Sequence, residues 1–131
     1  MKIHAFRLLP NQDLKISFEA YAKENQIKAG VILTCVGSLK SATLKMADEN
    51  VIKTFEQRFE IVSLVGTFSS DGCHLHVSLS DADGKVIGGH LKDGCIIYTT
   101  AEIVIGEIDN FVFTREIDES TGFNELVVKQ G

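Results

Sequence analysis

Along residues 73–80 apolar and polar side chains alternate, with Cys73, Leu75, Val77 and Leu79 on one side and His74, His76, Ser78 and Ser80 on the other. Successive side chains of a strand point to opposite faces, so this alternation predicts a half-buried strand whose apolar side meets a core. Similar runs predict strands at Lys2–Leu9, Val31–Val36, Ala42–Met46, Val51–Phe55, Phe59–Phe68, Lys85–Ile87, Ile96–Ile105 and Asn110–Glu116. A loop at Asp118–Gly122 and a short last strand at Phe123–Val128 follow. One segment has the other period: Leu14, Phe18, Tyr21 and Ala22 recur at helical spacing, with Lys15, Glu19 and Lys23 on the wet side. Pro10 ends the first strand, Asn11 or Asp13 supplies the helix N-cap, and Ala29-Gly30 closes the helix. The nearly continuous apolar run Val31–Val36 reads as a strand buried on both faces. Together these elements predict an α+β fold: a mixed, largely antiparallel sheet with one main helix packed on it, opening with a β-α-β unit.

Length and composition narrow this further. The 131 residues fit a single domain, 1–131, and 44% hydrophobic content is enough for a real core. No apolar run is long enough to cross a bilayer, and Met1–Arg7 lacks the features of a secretion signal, so no membrane partner is predicted and the expected compartment is cytoplasmic. Cys35, Cys73 and Cys95 are odd in number and each sits in an apolar segment, where a thiol acts as a small buried hydrophobe; no disulfide is expected. A net charge of −5 with Lys and Arg scattered among acids argues against nucleic acid as the default partner, because such binding neutralises phosphates with clustered cations.

Candidate chemistry concentrates in one stretch. Three of the four histidines, His74, His76 and His90, fall within residues 73–90. His74 and His76 share a strand face at roughly 6–7 Å between Cα atoms. Asp81-Ala82-Asp83-Gly84 reads as a tight turn that folds the chain back, and Gly88-Gly89 leaves room to bring His90 beside the first two. Three imidazoles with an open position form the ligand set of a catalytic zinc site. The alternative is that His74 and His76 line a solvated sheet face and His90 lies in an unrelated loop. Glu102, inside the apolar run Ile96–Ile105, has two readings as well: a carboxylate that orients a ligand histidine or serves as general base, or a sheet-edge side chain reaching water. Arg7 and Glu60 also interrupt apolar strands, where they pair with each other, contact a ligand or face water.

Several stretches resemble the PPC (plants and prokaryotes conserved) domain family across nearly the whole chain. Arg7-Leu8 through Asp13-Leu14 is similar to its opening motif, with Asn11-Gln12 standing where Gly-Glu is usual, and Gly37-Ser38-Leu39 is similar to its glycine turn. Phe59-Glu60-Ile61-Val62-Ser63-Leu64-Val65-Gly66 resembles its Phe-Glu-Ile-x-Ser-Leu-x-Gly block. The most specific match is Gly72–Leu79 with Gly88-Gly89-His90-Leu91 and Thr100-Ala101-Glu102. The resemblance implies a compact domain that forms a homotrimer, with its histidine cluster near the subunit contacts and able to take a divalent metal. It also implies a distant likeness to acetolactate decarboxylase, whose zinc is held by a comparable His-x-His plus His set. In plant relatives the domain follows AT-hook segments that grip the DNA minor groove; this sequence contains no Arg-Gly-Arg-Pro hook.

Three functions follow as expectations. The first is a homotrimer with a divalent cation, expected to be zinc, on His74, His76 and His90, serving a small ligand or a metal-assisted reaction with Glu102 handling protons. The second is a DNA-associated regulator, and the third an oligomerisation or protein-interaction module in which the histidines are interface hydrogen-bonders.

Overall fold

The computed structural model describes residues 1–48 and 50–131. Strand β1 (Lys2–Leu8) leads into helix α1 (Leu14–Glu24), followed by β2 (Gly30–Lys45), β3 (Ile52–Phe55), β4 (Phe59–Ser69), β5 (Gly72–Ser80), β6 (Val86–Leu91), β7 (Ile96–Glu107), β8 (Phe111–Ile117) and β9 (Asn124–Gln130). Seven strands form one sheet, ordered β1-β7-β2-β4-β5-β6 with β3 alongside β2, while β8 and β9 form a separate hairpin. The strand-rich body with its single helix matches the expected architecture. Every strand pairing among the described residues is antiparallel, however, where a mixed sheet was predicted. The opening β-α-β unit accounts for the difference. Strands β1 and β2 do run in the same direction, but β7 inserts between them and pairs antiparallel with both.

The helix forms where its apolar stripe predicts. Leu14, Phe18 and Ala22 are buried against the sheet, and the Phe18 ring meets Phe68 edge-on at 4.7 Å. Asp13 is the N-cap: its Oδ1 accepts the Ile16 backbone N–H at 3.0 Å. The helix ends at Glu24, several residues before Ala29-Gly30. Asn25 is its C-cap, and Gln26 takes the left-handed conformation (φ 50°) that turns the chain away, so a glycine is not needed there. Gly30 instead opens β2, because the Phe68 ring fills the space where its Cβ would stand, 2.2 Å from Cζ.

β2 unites two predicted strands, Val31–Val36 and Ala42–Met46, into one of 16 residues that absorbs register shifts and pairs with β3, β4, β6 and β7. Its first half is buried on one face only. Ile32 and Cys35 enter the core, while Leu33 and Val36 are 48% and 54% exposed on the face turned away from it. The far end of β2 pairs with β6, closing β2, β4, β5 and β6 into a circuit. Leu39, Leu44, Leu64, Leu75, Leu79 and Leu91 belong to the core, which extends across to α1. Burying side chains of this size contributes about 1.5–3 kcal/mol each, so the circuit holds its strands, and what they display outward, in fixed register. None of the helices among the described residues is long and apolar enough to cross a membrane.

Candidate metal centre

The circuit displays the three histidines on its outward face. β5 follows the predicted alternation: Leu75, Val77 and Leu79 point into the core, and His74 and His76 point out. The turn at residues 81–84 holds because Asp81 Oδ1 accepts the backbone N–H groups of Asp83 and Lys85, each at 2.9 Å. β6 extends well past Ile87, so His90 lies within a strand and directly opposite His76. Gly88 and Gly89 permit this. A Cβ on Gly88 would stand 2.7 Å from the Val77 carbonyl oxygen, and one on Gly89 2.7 Å from that of Lys45, so only glycine lets β6 approach β5 and β2 together.

The ligand atoms of His74, His76 and His90 all lie within 4.8 Å of one another. Ring centroids are 5.0 Å apart for His74–His76, 5.1 Å for His74–His90 and 5.6 Å for His76–His90. None of the three rings has a hydrogen-bond partner among the described residues. The fourth histidine, His4, contrasts with them: it is buried, with Nδ1 against the Tyr21 hydroxyl and Nε2 against Glu107 Oε1, each at 2.9 Å. Burial, then the neighbouring Lys45 and the other two imidazoles, push the His90 pKa down to about 4. His74 is shifted down as well, by burial first and then by His76 and Arg115. Both therefore favour the neutral imidazole, the form that binds metal. The donor set thus suits a borderline cation: three imidazoles, partnerless among the described residues, with His74 and His76 exposed.

The remaining candidates fall elsewhere. Cys73 turns to the core side of β5, and burial pushes its thiol up to about 11, so it is a packing residue rather than a ligand. Cys35 and Cys95 are buried free thiols raised the same way, to about 12 and about 11. Glu102 is exposed on β7, opposite Arg7 on β1 and Val36 on β2, and lines none of the cavities that border the histidines. Arg7 bonds to β7, with Nε donating to Thr100 Oγ1 at 2.9 Å and Nη2 to the Thr99 carbonyl at 3.1 Å, and not to Glu60, which is exposed on β4. Lys45, Lys92, Arg115 and Phe123 border the cluster without having been singled out in the sequence. Lys45 was legible only through its register with His90, and Arg115 only through the docking of the β8–β9 hairpin.

Comparison with known proteins places this arrangement. The chain is 43% identical over 130 residues to the bifunctional protein GlmU of Synechococcus sp. (strain JA-3-3Ab), covering 99% of the chain but only 21% of that relative's length. It is 30% identical over 112 residues to AT-hook motif nuclear-localized protein 2 of Arabidopsis thaliana, covering 79% of the chain and 33% of the relative. A metal-containing protein from Archaeoglobus fulgidus has the same fold, with a TM-score of 0.84, 30% identity and coverage of 97% of this chain and 94% of that one. Residues 1–109 match the family model of the Plants and Prokaryotes Conserved (PCC) domain, and the chain belongs to that family.

Proposed function

We propose that this chain is a metal-binding member of its family, in which His74, His76 and His90 hold a divalent cation, expected to be zinc, facing a small ligand. One observation carries this: three imidazoles from two adjoining strands converge within 4.8 Å and have no partner within the described chain. The metal-containing Archaeoglobus fulgidus protein supports it through shared fold and 30% identity. When bound, such a cation acts as a Lewis acid toward a ligand oxygen. The chain's own contribution is placement. The β5–β6 register sets His76 opposite His90, and the hydrophobic undersides of both strands fix their backbones.

The proposal includes association as a homotrimer. Leu33, Val36, Val62 and Val65, 48–57% exposed, lie outside the core of a single chain, and Val65 stands next to His76 across the β4–β5 pairing. A closed assembly over such a face would bury them and bring the metal site to a subunit contact. Glu102 belongs to this part of the proposal. In one chain it stands apart from the histidines, so its role as the proton-handling group requires a second copy to present it.

The AT-hook relative favours a second reading, a DNA-associated role. The net charge of −5 weighs against it for this chain. Elemental analysis of protein purified without a histidine tag tests the main reading. Near-stoichiometric zinc or a related ion is expected, with its loss in His74→Ala; metal-free protein that takes up no added zinc would refute it.

A further inference from the structure

Beside the histidine cluster lies a second cavity of about 620 Å³, bounded by His74, His90, Lys45, Lys92, Arg115 and Phe123. Its cations are tied to the cluster by backbone register. Lys45 is directly opposite His90 on β2, and Lys92 follows the last residue of β6, its backbone N–H held by the Thr43 carbonyl at 3.3 Å. Arg115 comes from β8 and donates through Nη2 to Thr67 Oγ1 at 3.3 Å; Thr67 is the β4 residue opposite His74. The cluster is thus flanked by positive charge contributed by three separate segments.

These charges are not consumed internally. Among the described residues none of the three cations has an ion-pair partner within 4.0 Å. The acids on the same wall are mostly engaged: Glu19 Oε1 accepts Lys15 Nζ at 3.1 Å, and Asp71 Oδ2 accepts the Arg115 backbone N–H at 2.8 Å. Glu125 is the third acid there. Phe123, 48% exposed, places its ring 5.6 Å from Lys45 Nζ and offers an apolar surface at the mouth. Arg115 and Phe123 lie beyond the residues matched by the family model, so the β8–β9 hairpin adds a wall from outside the matched region. It is docked, not loose: Phe113 N–H donates to the Lys28 carbonyl and Ser69 Oγ to the Phe113 carbonyl, each at 2.8 Å.

We propose that this cavity receives the anionic head, a carboxylate or phosphate group, of a small molecule, with Lys45, Lys92 and Arg115 as counter-charges. The inference rests on the metal-site reading in one respect: a cation on the histidines would meet the same ligand at a second oxygen. Unpaired guanidinium and ammonium groups around a concave, partly apolar site are the recurring means of fixing such a group.

The test uses the full chain, both zinc-loaded and chelator-treated, titrated with methyl phosphate and with acetate while histidine and arginine resonances are followed by nuclear magnetic resonance. Zinc content is measured on each sample. At least one probe is expected to bind, and the tighter of the two identifies the head group as phosphate or carboxylate. Arg115→Gln and Lys92→Gln should each weaken that probe by about ten-fold or more, the usual scale for a charge-assisted bond, with zinc content unchanged. Zinc-loaded protein that binds neither probe, or binds it equally well in both variants, overturns the proposal and leaves the metal site standing. Arg115-dependent binding by a chain that takes up no zinc supports the anion pocket and removes the metal reading. Lys92→Gln alters a side chain with no hydrogen-bond partner among the described residues, so it carries the test if Arg115→Gln unsettles the hairpin.

Discussion

Replacing Gly89 with alanine tests whether strand spacing is what delivers His90 to the cluster. The added Cβ would stand 2.7 Å from the Lys45 carbonyl oxygen and 3.2 Å from Leu44 Cβ and Met46 Cε. Ordinary contact begins at 3.4 Å, so β6 must retreat from β2 by about 0.7 Å at that point. The β2–β6 pairing consists of Leu44 with Leu91 and Lys45 with His90, so the shift falls on a proposed ligand. Forcing an extra methyl into close packing costs about 1–3 kcal/mol. In a domain of this size that lowers Tm by roughly 3–15 °C. Misplacing a ligand's support weakens metal binding by about 10–100-fold. Thermal unfolding of the metal-free protein and zinc competition against a chromogenic chelator read the two effects separately. Gly84→Ala is the control, since its φ of 80° strains the turn but nothing lies within 4 Å of the new methyl; it should lower Tm modestly and leave zinc affinity unchanged. Wild-type zinc affinity in Gly89→Ala, or an equal loss in Gly84→Ala, would refute the reasoning.

Further expectations concern the rest of the molecule. His76→Ala should abolish zinc uptake yet unfold, metal-free, at the temperature of the metal-free wild type, because the ring is exposed and bonds to nothing among the described residues; a stability loss above about 1 kcal/mol would instead assign it a structural role. Asp13→Ala removes the acceptor for the N–H groups of Ile16 at 3.0 Å and Gly94 at 2.7 Å, so urea denaturation should show a loss of about 1–3 kcal/mol. Val65→Asp should disrupt the proposed trimer in sedimentation equilibrium, leaving folded monomers; a wild-type chain that sediments as a monomer refutes the assembly outright. Duplex DNA should not be retarded in electrophoresis at low salt, and retardation that weakens steeply as salt rises would bring back the DNA-associated reading.

Some of this was legible in the sequence because a local period wrote it there. The alternation from Cys73 to Ser80 separated core from ligand residues, and the stripe Leu14, Phe18, Ala22 located the helix with its buried side. What escaped depended on non-local pairing. The polar stretch around Ser38 and Ser41 resembles a break between strands, yet β4 and β7 supply it with ladder partners and β2 runs through. The apolar content of Val31–Val36 predicts two buried faces, although one of those faces lies outside the core of the single chain. The helix end was misplaced because Gln26 adopts a conformation usually left to glycine. Lys92 and Arg115 are ordinary surface cations in the sequence, and only β6 and the terminal hairpin carry them to one cavity.

The sharing of β2 among four neighbours has a consequence for how the molecule is made. This strand is synthesised ahead of all its partners, which extend to Glu107, so its hydrogen-bonding groups wait until that residue has emerged. Pairings so distant along the chain carry a heavy loop-closure cost and form slowly. Throughout that interval the nascent chain presents an open apolar ribbon, and a molecule interrupted before Glu107 is a substrate for chaperones and proteases rather than a smaller version of the finished protein.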